Sequence, residues 1–282
     1  VHPTDAVGRP TASEPPTVIE PPAVIEPPTV IELRQYTLRP GRRDELIELF
    51  DREFVETQED VGMVVLGQFR DLDDPDRFVW LRGFGDMAVR HDALAAFYGG
   101  PVWAEHGPRA NDTMLDSDNV LLLRALSDTT GLSPAAAPLD TTGLTRALAF
   151  AVSPSERPCP GAPAPDRFVS ATVWSFPPGR EGGPALIRDG LVPALRRTGP
   201  GPLAVLTTET APNTFSRLPV RTGENVAVVV GSYPDEEAYR RQLAAVQADS
   251  LVRDEILPGV EREQTAAPRT LRLAPTGRSL IR

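Results

Sequence analysis

Cysteine, histidine and long apolar runs are what this sequence has least of. The single cysteine, Cys159, has no second thiol to pair with, and its Arg-Pro-Cys-Pro-Gly setting carries no metal-ligand spacing, so no intrachain disulfide can form. Of three histidines, His2 lies in an N-terminal tail, and His91 and His106 are separated by a Gly-Gly-Pro break that does not space them as a chelating pair. No metal site is therefore expected; haem, which needs only one axial histidine, is disfavoured rather than excluded. No Gly-x-Gly-x-x-Gly motif follows a strand-like run, and there is no P-loop or nucleophile elbow, so no nucleotide or other organic cofactor is expected. No apolar run approaches the ~20 residues that cross a bilayer, and no membrane partner is expected. A formal net charge of -10 argues against nucleic acid, whose affinity for proteins comes largely from phosphate attraction. The opening Val-His-Pro-Thr lacks a basic segment followed by an apolar one, which makes the cytoplasm the expected location.

Proline, by contrast, is abundant, and it marks the organisation. Pro-Pro-Thr/Ala-Val-Ile-Glu occurs three times between Pro15 and Glu32, and paired prolines favour extended backbone. Residues 1–28 read as a disordered arm; duplication of a tail is the plainer explanation, a peptide ligand for a partner domain the sharper one. From residue 29 the pattern is regular. Thr29 to Leu38 alternates as a strand, Pro40-Gly41 turns, and Arg42 to Asp60 has Leu46, Phe50 and Phe54 at helical spacing. Strands follow at Met63–Arg70 and Arg77–Phe84; Asp86 caps a helix whose stripe is Met87, His91, Leu94 and Tyr98; a second helix covers Val102–Met114, and Asn119–Leu126 is a strand. Residues 127–166 read as a linker, with a short ordered segment over Leu144–Val152. The same order then recurs: strand at Phe168–Phe176, helix at Ala185–Arg197, strands at Leu203–Thr210 and Asn225–Tyr233, helices at Glu236–Ala248 and Leu251–Glu263, and a strand at Arg269–Leu273. Each βαββαβ unit has helices on one sheet face and leaves the other bare, and two units in one chain can bury those bare faces against each other. The expected fold class is α+β: tandem ferredoxin-like units, 29–126 and 167–274, forming an intramolecular dimeric α/β barrel, with 275–282 as a C-terminal tail.

The segment Val30-Ile-Glu-Leu-Arg-Gln-Tyr-Thr-Leu-Arg-Pro-Gly41 resembles the opening strand and turn of NIPSNAP domains, within the dimeric α/β-barrel superfamily. The resemblance continues through Gly62-Met-Val-Val-Leu-Gly-Gln-Phe69, Phe78-Val-Trp-Leu-Arg-Gly-Phe84 and Phe97-Tyr-Gly-Gly-Pro-Val-Trp103 to about Leu126. The second unit agrees only in element order, so any residue role implied by the resemblance stops at the first. The superfamily includes cofactor-free monooxygenases, haem enzymes, isomerases, cyclases and binding proteins, and fold alone does not choose among them. What the resemblance implies is a place to look, between the helices and the sheet of one unit.

Period-2 alternation puts Phe78, Trp80, Arg82 and Phe84 on one face of the third strand and Glu32, Arg34 and Tyr36 on one face of the first. Assigned to the helix side, and joined by Tyr98, Trp103 and Asn111, they form an expected aromatic pocket with charge at its wall. In that expectation Arg34 or Arg82 stabilises an oxyanion, and His106, after the Gly-Gly-Pro break, moves a proton near neutral pH. The competing reading is an ordinary aromatic core with Glu32, Arg34 and Arg82 consumed in structural ion pairs. The function expected is binding of a small aromatic metabolite, with cofactor-independent oxygenation, isomerisation or cyclisation as the chemistry; the alternative is a noncatalytic metabolite-binding or protein-interaction barrel. Association into a homo-oligomer stays open. The second unit, whose third strand Asn225-Val-Ala-Val-Val-Val-Gly-Ser232 carries small aliphatics, is expected to be structural only.

Overall fold

The computed structural model describes residues 27–126, 150 and 152–282. The expected Pro-rich arm lies outside these except for residues 27 and 28, as do 127–149 and 151 of the expected linker and most of the Leu144–Val152 segment. In chain order the first unit contains β1 (Val30–Leu38), α1 (Arg43–Leu49), a π-helical turn (Phe50–Phe54), α2 (Val55–Glu59), β2 (Val64–Asp71), β3 (Arg77–Phe84), α3 (Met87–Gly99), α4 (Pro101–Asp112), a short β4 (Met114–Asp116) and β5 (Val120–Ala125). The second contains β6 (Phe168–Ser175), α5 (Gly182–Leu186), a π turn (Ile187–Leu191), α6 (Val192–Thr198), β7 (Ala204–Thr208), β8 (Val226–Tyr233), α7 (Glu236–Ala248), a further π turn (Val252–Ile256), α8 (Leu257–Glu263) and β9 (Ala266–Pro275). Asp86 and Asp235 occupy matching positions and cap α3 and α7, accepting from the amides of Val89 and Ala238 at 2.7 Å. Pro101 opens α4, where a missing N–H costs nothing.

Each unit has the ferredoxin-like strand order, β5-β1-β3-β2 in the first and β9-β6-β8-β7 in the second. Antiparallel pairing of β2 with β9 and of β5 with β7 joins them into a closed eight-stranded barrel, to which β4 adds a short edge on β1. Closure removes the exposed edges a four-stranded sheet would carry. The interior is aliphatic: Ile31, Leu33, Val79 and Leu81 meet Val169, Leu206, Val228 and Leu271. Outside the barrel two helix-facing cores differ in character. In the first unit Phe50, Phe54, Leu94 and Phe97 pack on Tyr36, Phe78, Trp80 and Phe84, whereas in the second Ile187, Leu195, Val246 and Ile256 cover Trp174, Val205 and Val229.

The segment after β9 does not hang free. Ile281 is 1% exposed within the barrel core and donates its amide to the Leu66 carbonyl at 3.1 Å, while the Ser279 hydroxyl accepts from the Gln68 amide at 3.3 Å. Arg278 reaches back to the Asp51 carbonyl at 2.6 Å and pairs with Glu56. The segment thus fills the irregularity that β2 carries between Val65 and Gly67. Truncating Ile281 to Ala should cost ~2–4 kcal/mol in urea unfolding, against under ~0.5 kcal/mol for Leu251→Ala at a half-exposed position; equal effects would show that the segment adds nothing to the barrel.

Candidate functional site

Register brings the site together. Across β1 and β3, Glu32 faces Arg82, Arg34 faces Trp80 and Tyr36 faces Phe78, all on the helix side. Glu32 is fully buried and accepts from three guanidinium groups: Arg34 Nη1, Arg82 Nε and Arg90 Nε, each at 2.7 Å. Arg90 comes from α3. The other partners of these cations are neutral: Arg34 Nε donates to the Tyr36 hydroxyl at 2.8 Å, Arg82 Nη1 to Gln58 Oε1 at 3.0 Å and Arg90 Nη1 to Asn213 Oδ1 at 3.0 Å. Aromatic faces complete the surroundings, with Arg34 5.6 Å and Arg82 5.1 Å from the Trp80 ring centroid.

The cluster therefore holds three buried cations and one buried anion. Burial alone would raise the Glu32 carboxyl; the charges of Arg82, Arg34 and Arg90 outweigh it and hold the group well below the ordinary carboxylate range. Burial likewise raises the Tyr36 hydroxyl above its usual value, so Tyr36 is neutral and does not supply the missing negative charge. Two positive charges stay uncompensated, and Arg82 Nη2 and Trp80 Nε1 are buried donors without an acceptor. Isolated buried charge is costly.

Beside the cluster lies a cavity of about 200 Å³. Arg34, Tyr98 and Trp103 form its inner wall, and Asn111, Ser117, Asp118, Arg217, Leu218 and Pro219 its outer part. A smaller apolar void of about 30 Å³, among Phe50, Phe54, Trp80, Phe97, Tyr98 and Trp103, sits behind it. The Tyr98 and Trp103 rings, 4.6 Å apart edge to face, border both spaces. Among the described residues no group of three or more His, Cys, Asp and Glu could hold a metal, and no helix is long and apolar enough to cross a membrane.

The sequence model of the NIPSNAP family matches residues 31–128. That stretch is a NIPSNAP domain. It contains Glu32, Arg34, Arg82, Arg90 and the aromatic wall, and the second unit lies beyond it. Among solved structures, an anthrone oxidase-like protein is 14% identical, with 89% of this chain and 92% of that one aligned at a TM-score of 0.52. The "Putative monooxygenase" of Fusobacterium nucleatum is 11% identical over 89% of this chain and 94% of that one, at 0.50. These two share the whole two-unit fold. An uncharacterised NIPSNAP-like domain protein from Burkholderia xenovorans is 26% identical, covering 40% of this chain and 96% of its own, at 0.33. No curated protein matches the chain.

Within the NIPSNAP domain the expected residues divide by depth. Arg34, Tyr98, Trp103 and Asn111 line the cavity. Glu32, Tyr36, Trp80 and Arg82 form the charged and aromatic layer behind it, and Phe78 and Phe84 are core: Phe78 packs edge to face on Phe50 at 5.6 Å, and Arg82 lies 5.5 Å from the Phe84 ring centroid. Arg82, wholly enclosed, is a support for Glu32 rather than a group that could touch a ligand directly. His106 does not join them. The inward face of α4 carries Gly107 and Ala110, and His106, turned about 100° from Gly107, sits at the flank with Nε2 3.5 Å from Glu53. It lines neither space, which removes the expected proton carrier from the site.

His91, expected on the apolar stripe of α3, is exposed, with Nδ1 2.8 Å from the Thr214 carbonyl; the buried stripe is Arg90, Leu94, Phe97 and Tyr98. Arg90 was legible as a charged residue four and seven positions before Leu94 and Phe97. The β7–β8 loop had no such signal. It crosses from the second unit, Asn213 receiving Arg90, Phe215 stacking on Tyr98 at 6.1 Å, and Arg217, Leu218 and Pro219 lining the cavity. The cavity expected within the first unit alone is thus lined by a loop of the second as well.

Glu32→Gln would leave three buried guanidinium groups without a counter-charge and should cost ~3–5 kcal/mol at pH 7. The sign with pH follows from the depressed carboxyl: its contribution is complete above the unfolded value of ~4.3 and is lost as pH falls below it toward the folded value. Urea unfolding from pH 7 down to 3 should therefore show an acid-linked loss in the parent protein that is diminished in the variant. A cost below about 1 kcal/mol would mean that Glu32 is not the counter-ion the geometry makes it.

Proposed function

We propose that the protein binds a small aromatic metabolite in its anionic form, a phenolate, enolate or aryl carboxylate, in the cavity between α3, α4 and the β7–β8 loop. The observation that carries this reading is the surplus of two positive charges buried behind that cavity, with Arg34 the member of the cluster that reaches it. A ligand oxygen there would supply the negative charge the fold withholds, in a low-dielectric setting where such contacts are strong. Tyr98 and Trp103 suit a flat ring. The volume is below the ~300–1,000 Å³ usual for drug-sized ligands, which favours one ring over a fused system.

Stabilising a phenolate or enolate against Arg34 gives the electron-rich form that isomerisation, cyclisation or direct reaction with dioxygen requires. Cofactor-independent chemistry of that kind is the catalytic reading. One observation favours binding without turnover instead: no histidine lines the cavity, and its one carboxylate is Asp118 in the outer part.

The reading is tested with 4-nitrophenol, which titrates near neutrality and reports ionisation by its colour. Tryptophan fluorescence should follow binding, with affinity rising as the ligand ionises and the bound ligand ionising at lower pH than the free one. Arg34→Gln should weaken the phenolate about tenfold or more, as loss of a charge-assisted hydrogen bond does, while preserving the fold, because Glu32 keeps Arg82 and Arg90. Equal affinity for both ligand forms, or unchanged binding in Arg34→Gln, would overturn it.

A further inference from the structure

The cavity has a second cation that the charged cluster does not include. Arg217 stands on the β7–β8 loop of the second unit, exposed, with Nη1 donating to the Tyr98 carbonyl at 3.1 Å and its guanidinium 5.7 Å from the Tyr98 ring centroid. Tyr98 is itself a wall of the cavity, so these two contacts hold Arg217 at the rim without neutralising its charge. No carboxylate forms an ion pair with it among the described residues. Asn111 and Ser117 beside it are neutral, and Asp118 is the one acidic side chain lining the space.

The count of charge is informative. The guanidinium groups of Arg34, Arg82 and Arg90 against Glu32 leave two positive charges in the cluster, and at the rim Arg217 shares the lining with Asp118 without forming an ion pair with it. The two cations that line the cavity sit at different depths, since Arg34 is 1% exposed and Arg217 is open to solvent. A monoanion seated on Arg34 would leave Arg217 without a ligand oxygen to pair with. We infer that the ligand is a single-ring aromatic dianion, with one anionic oxygen group on Arg34 inside and a carboxylate on Arg217 at the rim, and that Arg217 is the specificity-determining residue for that second group. The planar fork of an arginine matches a carboxylate through two parallel hydrogen bonds, which a lysine cannot reproduce. The inference rests on the anion-binding reading of the cavity and extends it. It also assigns the second unit a part in recognition, because the residue that selects the dianion belongs to that unit and not to the NIPSNAP domain.

Calorimetric titration with benzoate and isophthalate, one carboxylate against two on the same ring, separates the two levels of the claim. The parent protein should bind isophthalate about five- to tenfold more tightly than benzoate, a modest factor because the rim contact is solvent-screened. Arg217→Gln should bring isophthalate down to the affinity of benzoate, Arg217→Lys should keep part of the preference, and Arg34→Gln should weaken both ligands. Added salt should erode the isophthalate preference before it erodes benzoate binding. If isophthalate binds no tighter than benzoate, or its advantage survives in Arg217→Gln, the assignment of Arg217 is overturned while the anion-binding reading stands. If the parent protein binds neither acid, both fall together.

Discussion

One buried carboxylate organises the first unit. Glu32 on β1 is held by Arg34 from its own strand, by Arg82 from β3 and by Arg90 from α3, so a single side chain ties the sheet to a helix packed on it. Through Arg90 the tie continues to Asn213 in the second unit. Such a cluster is a poor source of stability when compared with a well-packed apolar replacement, because desolvating four charges costs several kcal/mol for each ion. What it does provide is position. It sets the guanidinium of Arg34 against the cavity, with burial, which disfavours the charged form, outweighed by the charge of Glu32 and the hydrogen bond to the Tyr36 hydroxyl.

The barrel supplies the frame for that arrangement. Two sheets, each with one bare aliphatic face, close on each other, and the inner face of β1 and β3 is committed to that core. The outer face is then free to carry Glu32, Arg34, Trp80 and Arg82, residues that a two-sided hydrophobic sheet could not accommodate. Closure has a second consequence. The second unit is fixed alongside the first, and its β7–β8 loop can reach across to cover α3, bringing Phe215 and Arg217 to Tyr98. The unit with the plainer, aliphatic outer core thus takes part in the site by its loop.

Periodicity made much of this legible. Strict alternation at Glu32, Arg34, Tyr36 and at Phe78, Trp80, Arg82, Phe84 was enough to place both sets on the helix side, because a strand half-buried on each face has only two ways to point. Asp86 and Asp235, each before a helix, showed the parallel between the units. Side-chain depth was less legible. The expected open aromatic pocket is mostly filled, since Phe50 and Phe54 sit on a π-helical turn that presses them onto Trp80 and Trp103. His106 was misplaced because the inward face of α4 runs through Trp103, Gly107 and Ala110 at helical spacing, which leaves position 106 at the flank. Asn213, Phe215 and Arg217 could not have been found from local pattern, since their importance comes from the path of a loop between units.

The central claim is that the surplus positive charge behind the cavity is the counter-charge of a ligand. A crystal structure of the protein with bound 4-nitrophenolate tests it most directly. The account predicts the phenolate oxygen within ~2.7–2.9 Å of the Arg34 guanidinium and the ring against Tyr98 and Trp103, with Glu32 still holding Arg82 and Arg90. A ligand seated elsewhere with the cavity empty, or a carboxylate of the chain itself folded in to neutralise Arg34, would contradict it.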